Sequence, residues 1–200
     1  MLRNLAGLTL ITLMLVAMAS EPVCAFATDW RLGVSTGLGS SSVTVKEVSN
    51  SESPLVFKLW GEFPLSFDKT LILEHTRSLK PSPFASGIAF SGATALWFPW
   101  GCFPQRLVSG NEAVRNAWTQ KRIAPFLGLG TGLGSADSLK KVGAQSLMIS
   151  GYSFYLSMRV GADYPISSAL ALRSQLELNT SAIGTSMGST AFHLGALWYL

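Results

Sequence analysis

From Trp30 onward the chain alternates bulky apolar residues with small or polar ones in eight segments of 9 to 13 residues. A period of two is strand geometry, because successive side chains on an extended backbone point to opposite faces. The segment length is the stronger constraint. Soluble strands run to about 5 or 6 residues, whereas a tilted strand crossing a bilayer needs about 9 to 11. After Thr28 no apolar run is long enough for a membrane helix. The pattern therefore predicts an all-β fold, an antiparallel up-and-down transmembrane barrel of about eight strands.

The first segment, Trp30–Gly39, sets Trp30, Leu32, Val34 and Leu38 against Arg31, Gly33, Ser35 and Gly37. In the next two, about 55–63 and 69–77, Leu55, Phe57, Leu59, Leu71 and Leu73 oppose Lys58, Glu62, Glu74 and Thr76. A fourth, about 87–98, sets Ile88, Phe90, Leu96 and Phe98 against Ala89, Ser91, Ala93 and Ala95. The fifth, about 122–133, carries a glycine stripe at 128, 130 and 132, which suits a curved wall short of interior room. The sixth, 152–164, opposes Tyr152, Phe154, Met158, Val160 and Tyr164 to Ser153, Ser157, Arg159 and Asp163. The seventh, about 168–178, sets Leu170, Leu172, Leu176 and Leu178 against Arg173, Gln175 and Glu177, and the eighth closes the chain with Phe192, Leu194 and Trp198 opposite His193 and Tyr199.

Tight links at 64–68 and 165–167 alternate with longer Ser- and Gly-rich ones at 40–54, 78–86, 134–151 and 179–189. Short turns on one rim and long loops on the other are the habit of bacterial outer-membrane barrels, with the short turns periplasmic. The link at 99–121 breaks the pattern. Ser109 to Glu112 reads as a capping box, and Val114, Ala117 and Trp118 fall at helical spacing. A short amphipathic helix at the rim is one reading, and an irregular loop is the other.

The bulky face is expected outside. Eight strands of Trp, Phe, Tyr and Leu would overfill a small lumen. Aromatics near strand ends (Trp30, Phe63, Phe98, Trp100, Tyr152, Tyr164, Trp198) read as interfacial girdles. Parity then turns Arg31, Lys58, Arg122, Arg159 and Arg173 inward with Glu62, Glu74, Asp163 and Glu177, five cations against four anions. His193 joins them. Buried charges are costly unless paired, so the lumen is expected to hold an ion-pair network rather than an open pore.

Composition agrees. Only 13% of residues are charged, about half the usual share of a soluble domain. A net charge of +4 without a Lys/Arg run gives no nucleic-acid patch. Residues 1–27 read as a signal peptide: Arg3, an apolar stretch through Ala19, then Ala25-Phe26-Ala27 before a mature domain at 28–200. Glu21-Pro22-Val23 before Cys24 is no lipobox, and loss of Cys24 with the leader leaves Cys102 as the one cysteine, so no intramolecular disulfide forms.

Residues 31–39, Pro125–Gly134, the hairpin Ser157–Arg173 and the closing strand resemble the OmpA/OmpX-type small outer-membrane barrels. The resemblance implies an outer-membrane location, a monomer, contact with outer-membrane lipid and lipopolysaccharide, and a C-terminal strand read by the barrel-assembly machinery. Phe192, Leu194, Trp198, Tyr199 and Leu200 stand at the positions of that signal, with Leu where the class ends in Phe or Trp. Lys46, Lys80, Lys140 and Lys141 fall in the expected outer loops, in reach of lipopolysaccharide phosphates or simply solvated.

Catalytic and cofactor motifs are missing from the sequence: no G-x-S-x-G elbow, no P-loop, and no cluster with metal-ligand spacing. No cofactor is expected. His75 points outward near the loop rim, with Ser78 three residues on and Glu74 on the other face. The expected role is structural or surface interaction. Two alternatives are a lipid-modifying outer-membrane enzyme and a soluble periplasmic lipocalin-like barrel holding a hydrophobic ligand.

Overall fold

The computed structural model describes residues 30–45, 48–66, 68–79, 87–100, 123–142, 145–167 and 170–199. Nine strands follow one another: β1 (Arg31–Val45), β2 (Val48–Glu52), β3 (Leu55–Pro64), β4 (Lys69–Leu79), β5 (Gly87–Trp97), β6 (Ala124–Val142), β7 (Gln145–Ser167), β8 (Leu170–Gly184) and β9 (Ser186–Tyr199). Each pairs antiparallel with its neighbour, and β1 pairs with β9 to close the sheet. The wall has eight places, because β2 and β3 share one. β3 lies along Arg31–Leu38 of β1, and β2 along Ser41–Val45 of the same edge. The break between them falls at Pro54, which has no N–H to give a ladder; its carbonyl accepts the Gly39 N–H at 3.3 Å.

The register measures the closure. Starting at Lys69, paired residues run through Trp97, Leu127, Val160, Leu176, Phe192, Leu38 and Leu55, and return to β4 at Leu79. One circuit thus climbs ten residues, from Lys69 to Leu79. A stagger of that kind makes the strands tilt against the barrel axis.

Alternation decides which face is inside. Leu38 is 72% exposed and Leu73 50%, while Arg31 and Lys58 are each 1% exposed. The interior therefore carries charge and the exterior carries Leu, Phe and Trp, the reverse of a water-soluble barrel.

Two expectations need correction. On β5 the large residues turn inward: Ile88, Phe90, Leu96 and, just beyond the strand, Phe98 are buried, so Phe98 is no girdle residue. The lumen needs bulk at both ends. Near the short-turn rim Trp60, Ile72, Leu96, Phe98, Phe126 and Leu197 form one apolar cluster. Towards the loop side Val43, Val45, Ile88, Phe90, Tyr155 and Met187 form another, with the Phe90 and Tyr155 rings 4.8 Å apart edge to face.

Three of the long links, 40–54, 134–151 and 179–189, are mostly strand. β6 and β7 pair without a break from Ala124–Asp163 to Val142–Gln145, so 134–151 is a projecting hairpin. Residues 179–189 continue β8 and β9, which turn at Gly184–Thr185. Gly184 has φ +104° and leaves no room for a Cβ against the Tyr152 carbonyl, so glycine is required there. The tight link at 64–68 is held by Leu65 N–H to the Lys69 carbonyl, 2.9 Å, and Phe98 N–H to the Asp68 carbonyl, 2.7 Å. The leader, both cysteines, the 109–118 segment, Arg122, Lys46, Lys80 and Leu200 lie outside the described residues.

Candidate functional site

Parity brings nine of the sequence-predicted interior residues into two groups inside the lumen. The lower group sits near the short-turn rim. Arg173 on β8 holds Asp163, its register partner on β7, with Nε–Oδ1 at 2.6 Å and Nη2–Oδ2 at 2.7 Å. The two contacts form a bidentate fork, the strongest geometry for this pair. The same guanidinium also bonds Glu62 from β3. Glu62 accepts the Trp60 indole N–H at 2.9 Å and faces Arg31 at 3.6 Å. Arg173 lies 4.7 Å above the Phe126 ring and 5.5 Å from that of Trp60, so aromatic faces as well as anions surround it.

The upper group crosses the lumen at mid-height. Glu74 on β4 bonds Arg159 on β7 through both oxygens, one contact at 2.6 Å. It also takes Lys58 Nζ at 2.7 Å and the Thr94 hydroxyl at 2.9 Å. Lys58 bonds Glu177 on β8, which is further tied to Asn179 Nδ2 at 2.9 Å and Gln175 Nε2 at 3.3 Å. His193 stands beside them, its Nδ1 3.5 Å from Ser35 Oγ and its Nε2 4.0 Å from Glu177. That Nε2 has no hydrogen-bond partner among the described residues. Next to it is a cavity of about 20 Å³ that Asn179 and Ser78 also line, room for a single water.

Each group balances its charge. Arg31 and Arg173 oppose Glu62 and Asp163; Lys58 and Arg159 oppose Glu74 and Glu177. Glycine makes the space: a Cβ at Gly128 would stand 2.6 Å from Cγ of Arg159. Sequence parity missed Trp60, Phe126 and Thr94 as members, because apolar and hydroxyl residues carry no charge signal.

On the outer wall the structure gives His75 an unexpected partner. Its Nδ1 is 2.8 Å from the hydroxyl of Ser91, its register neighbour on β5, and not of Ser78, which faces inward and accepts the Ile88 N–H at 2.9 Å. Glu74 is turned into the lumen. Two members of a hydrolytic triad are thus adjacent, while among the described residues no carboxylate orients the imidazole. No group of His, Cys, Asp or Glu among the described residues could hold a metal ion. Phe192, Leu194 and Trp198 of the last strand are all exposed on the outside, and Tyr199 pairs through its backbone with Arg31.

The architecture has known counterparts. It is similar to neisserial surface protein A, NspA, at 14% identity and a TM-score of 0.58 over 84% of this chain and 96% of that one. It is also similar to the outer membrane protein OprG of Pseudomonas aeruginosa, at 11% identity and a TM-score of 0.51 over 90% of this chain and 99% of that one. This chain has the fold of a small eight-stranded barrel. At such identities the likeness is one of fold. No family model and no curated protein sequence matches the chain.

Proposed function

We propose that the chain is an outer-membrane barrel with a closed lumen, acting through its outer surface and loop-side hairpins in a structural or surface-interaction role. The observation that carries this reading is the inversion of its two faces. Two charge-balanced ion groups lie inside, and a belt of Leu, Phe, Tyr and Trp lies outside. In water that belt would drive aggregation, whereas in lipid it is the required surface.

The lumen favours a plug over a pore. Ion pairs span it at two heights, apolar clusters close it at both ends, and the cavity beside His193 is too small for a hydrophobic ligand. That argues against a lipocalin-like carrier. β6 has 19 residues and β7 has 23, about twice a membrane crossing. Their hairpin projects beyond the bilayer on the loop side, where partners are met. Lipopolysaccharide is a natural contact there, and the barrel-assembly machinery during biogenesis.

The test is electrophoresis of the membrane fraction, boiled and unboiled, with conductance across planar bilayers. A heat-dependent mobility shift in the outer-membrane fraction and no steady current are expected. A soluble periplasmic protein without a shift sinks the membrane reading. A steady current in a shifting barrel sinks the plug.

A further inference from the structure

The outer face of β5 is small from Ala89 to Ala95 and bulky again at Trp97 near the short-turn rim. Ala89, Ser91, Ala93 and Ala95 point outward there, between Leu73, His75 and Arg77 on β4 and Leu133 and Ser135 on β6. A furrow one strand wide results. Its loop-side end is polar. His75 and Ser91 are bonded at 2.8 Å, and a recess of about 230 Å³ is lined by His75, Arg77, Ala89, Ser135 and Asp137. Arg77 is exposed, and no carboxylate among the described residues lies within ion-pair distance of it.

Height gives these groups meaning. Lys69, paired with Trp97, marks the short-turn rim; His75 and Arg77 follow six and eight residues up β4. At ~2.4 Å of axial rise per residue for a strand tilted near 40°, they stand ~14 and ~19 Å above that rim. The apolar band of such a barrel is ~25 Å tall. The His75–Ser91 pair therefore lies inside the band, and the Arg77 guanidinium reaches the loop-side headgroups by extending its stem. An ionisable residue on a lipid-facing wall is costly, and that cost marks a function.

We propose that this furrow binds a phosphate-bearing lipid of the loop-side leaflet, a reading that rests on the membrane assignment above. Arg77 takes the phosphate. An acyl chain passes the His75–Ser91 pair inside the band and lies along Ala93 and Ala95. Asp137 accepts the Ser150 hydroxyl at 2.8 Å, so the anion sits on the Arg77 side of the recess.

Native mass spectrometry of the folded full chain tests this, with phosphatidylglycerol as the probe and diacylglycerol as the same chains without phosphate. Flotation with vesicles is checked first for every variant. Wild type is expected to retain phosphatidylglycerol over diacylglycerol. Arg77→Ala should weaken phosphatidylglycerol about tenfold, the scale of one hydrogen bond to a charge, and leave diacylglycerol unchanged. Ala93→Leu should weaken both by filling the furrow. A chain that floats with vesicles yet retains phosphatidylglycerol equally in wild type and Arg77→Ala overturns the site alone. A chain that does not float overturns the membrane reading instead.

Discussion

The two ion groups in the lumen are built on different plans. The lower one is directional: Arg173 forks onto its strand neighbour Asp163, bonds Glu62, and stacks on Phe126. One guanidinium there makes the short ion-pair contacts to both anions, and Arg31 stands farther off, 3.6 Å from Glu62. The upper one is shared. Glu74 has Lys58, Arg159 and Thr94; Glu177 has Lys58, Asn179 and Gln175; and a water-sized cavity adjoins it. Concentrated contacts make a lock that fails when one member goes. Distributed contacts make a filling that tolerates loss. The lower group closes the strand ends at the short-turn rim, and the upper one fills the waist.

Removing one partner from each group gives the largest contrast. Arg173→Ala strips Asp163 of its fork and leaves Glu62 only the more distant Arg31 as cation, and the loss of one member of a buried pair costs about 3–5 kcal/mol. Glu177→Ala leaves Lys58 and Arg159 still bonded to Glu74, so its cost should be smaller by more than ~1 kcal/mol on the same scale. Urea unfolding in lipid vesicles measures both. Equal losses would mean that the upper group is as indispensable as the lower and that the distinction is wrong.

The eight wall positions could be read from the sequence because every wall strand but β5 carries most of its bulky apolar residues on the outer face. The alternation is clean from Tyr152 to Tyr164 for that reason. It misleads on β5, where both faces lack charge and differ chiefly in size. The rule that large residues face out fails there, since Ile88, Phe90, Leu96 and Phe98 supply the bulk that the two ends of the lumen need. Strand ends beyond the apolar belt were illegible too. Residues 40–45, 134–142 and 179–184 are rich in Ser, Thr and Gly and carry only scattered apolar residues such as Val43, Val45 and Ile183, too few to separate a projecting hairpin from a loop. Charges on the inner face could be placed by parity, but their partners could not. Glu74 and Arg159 are 85 positions apart and meet only across the closed barrel. Ser91 was invisible as the partner of His75 because the register of β4 against β5 cannot be read from local spacing.

Space sharpens the comparison next. Gly128 pairs with Arg159 and gives its stem a flat wall to lie against. Gly128→Val would force that side chain away from Glu74, and overpacking of this kind costs about 1–3 kcal/mol. Adding Arg159→Met to Gly128→Val asks whether the glycine serves the arginine. In the double-mutant cycle the two changes should show a coupling of at least ~0.5 kcal/mol, the threshold for residues in contact. Simple additivity would show that Gly128 is there for strand curvature and not for the upper group.

The smallest effect belongs to His193. Its imidazole is buried, yet its nearest approach to a carboxylate is 4.0 Å and its Nε2 has no hydrogen-bond partner among the described residues. Lys58 and Arg159 already balance Glu74 and Glu177 without it. Replacing a polar group that makes little of its bonding capacity by an apolar one of similar volume is nearly neutral. His193→Leu should therefore shift the urea midpoint by less than ~1 kcal/mol of stability, within the spread of hydrogen-bond contributions. A loss as large as that of Arg173→Ala would mean that His193 carries a proton and pairs with Glu177. The upper group would then hold three cations against two anions, and its tolerance of change could no longer be explained by sharing alone.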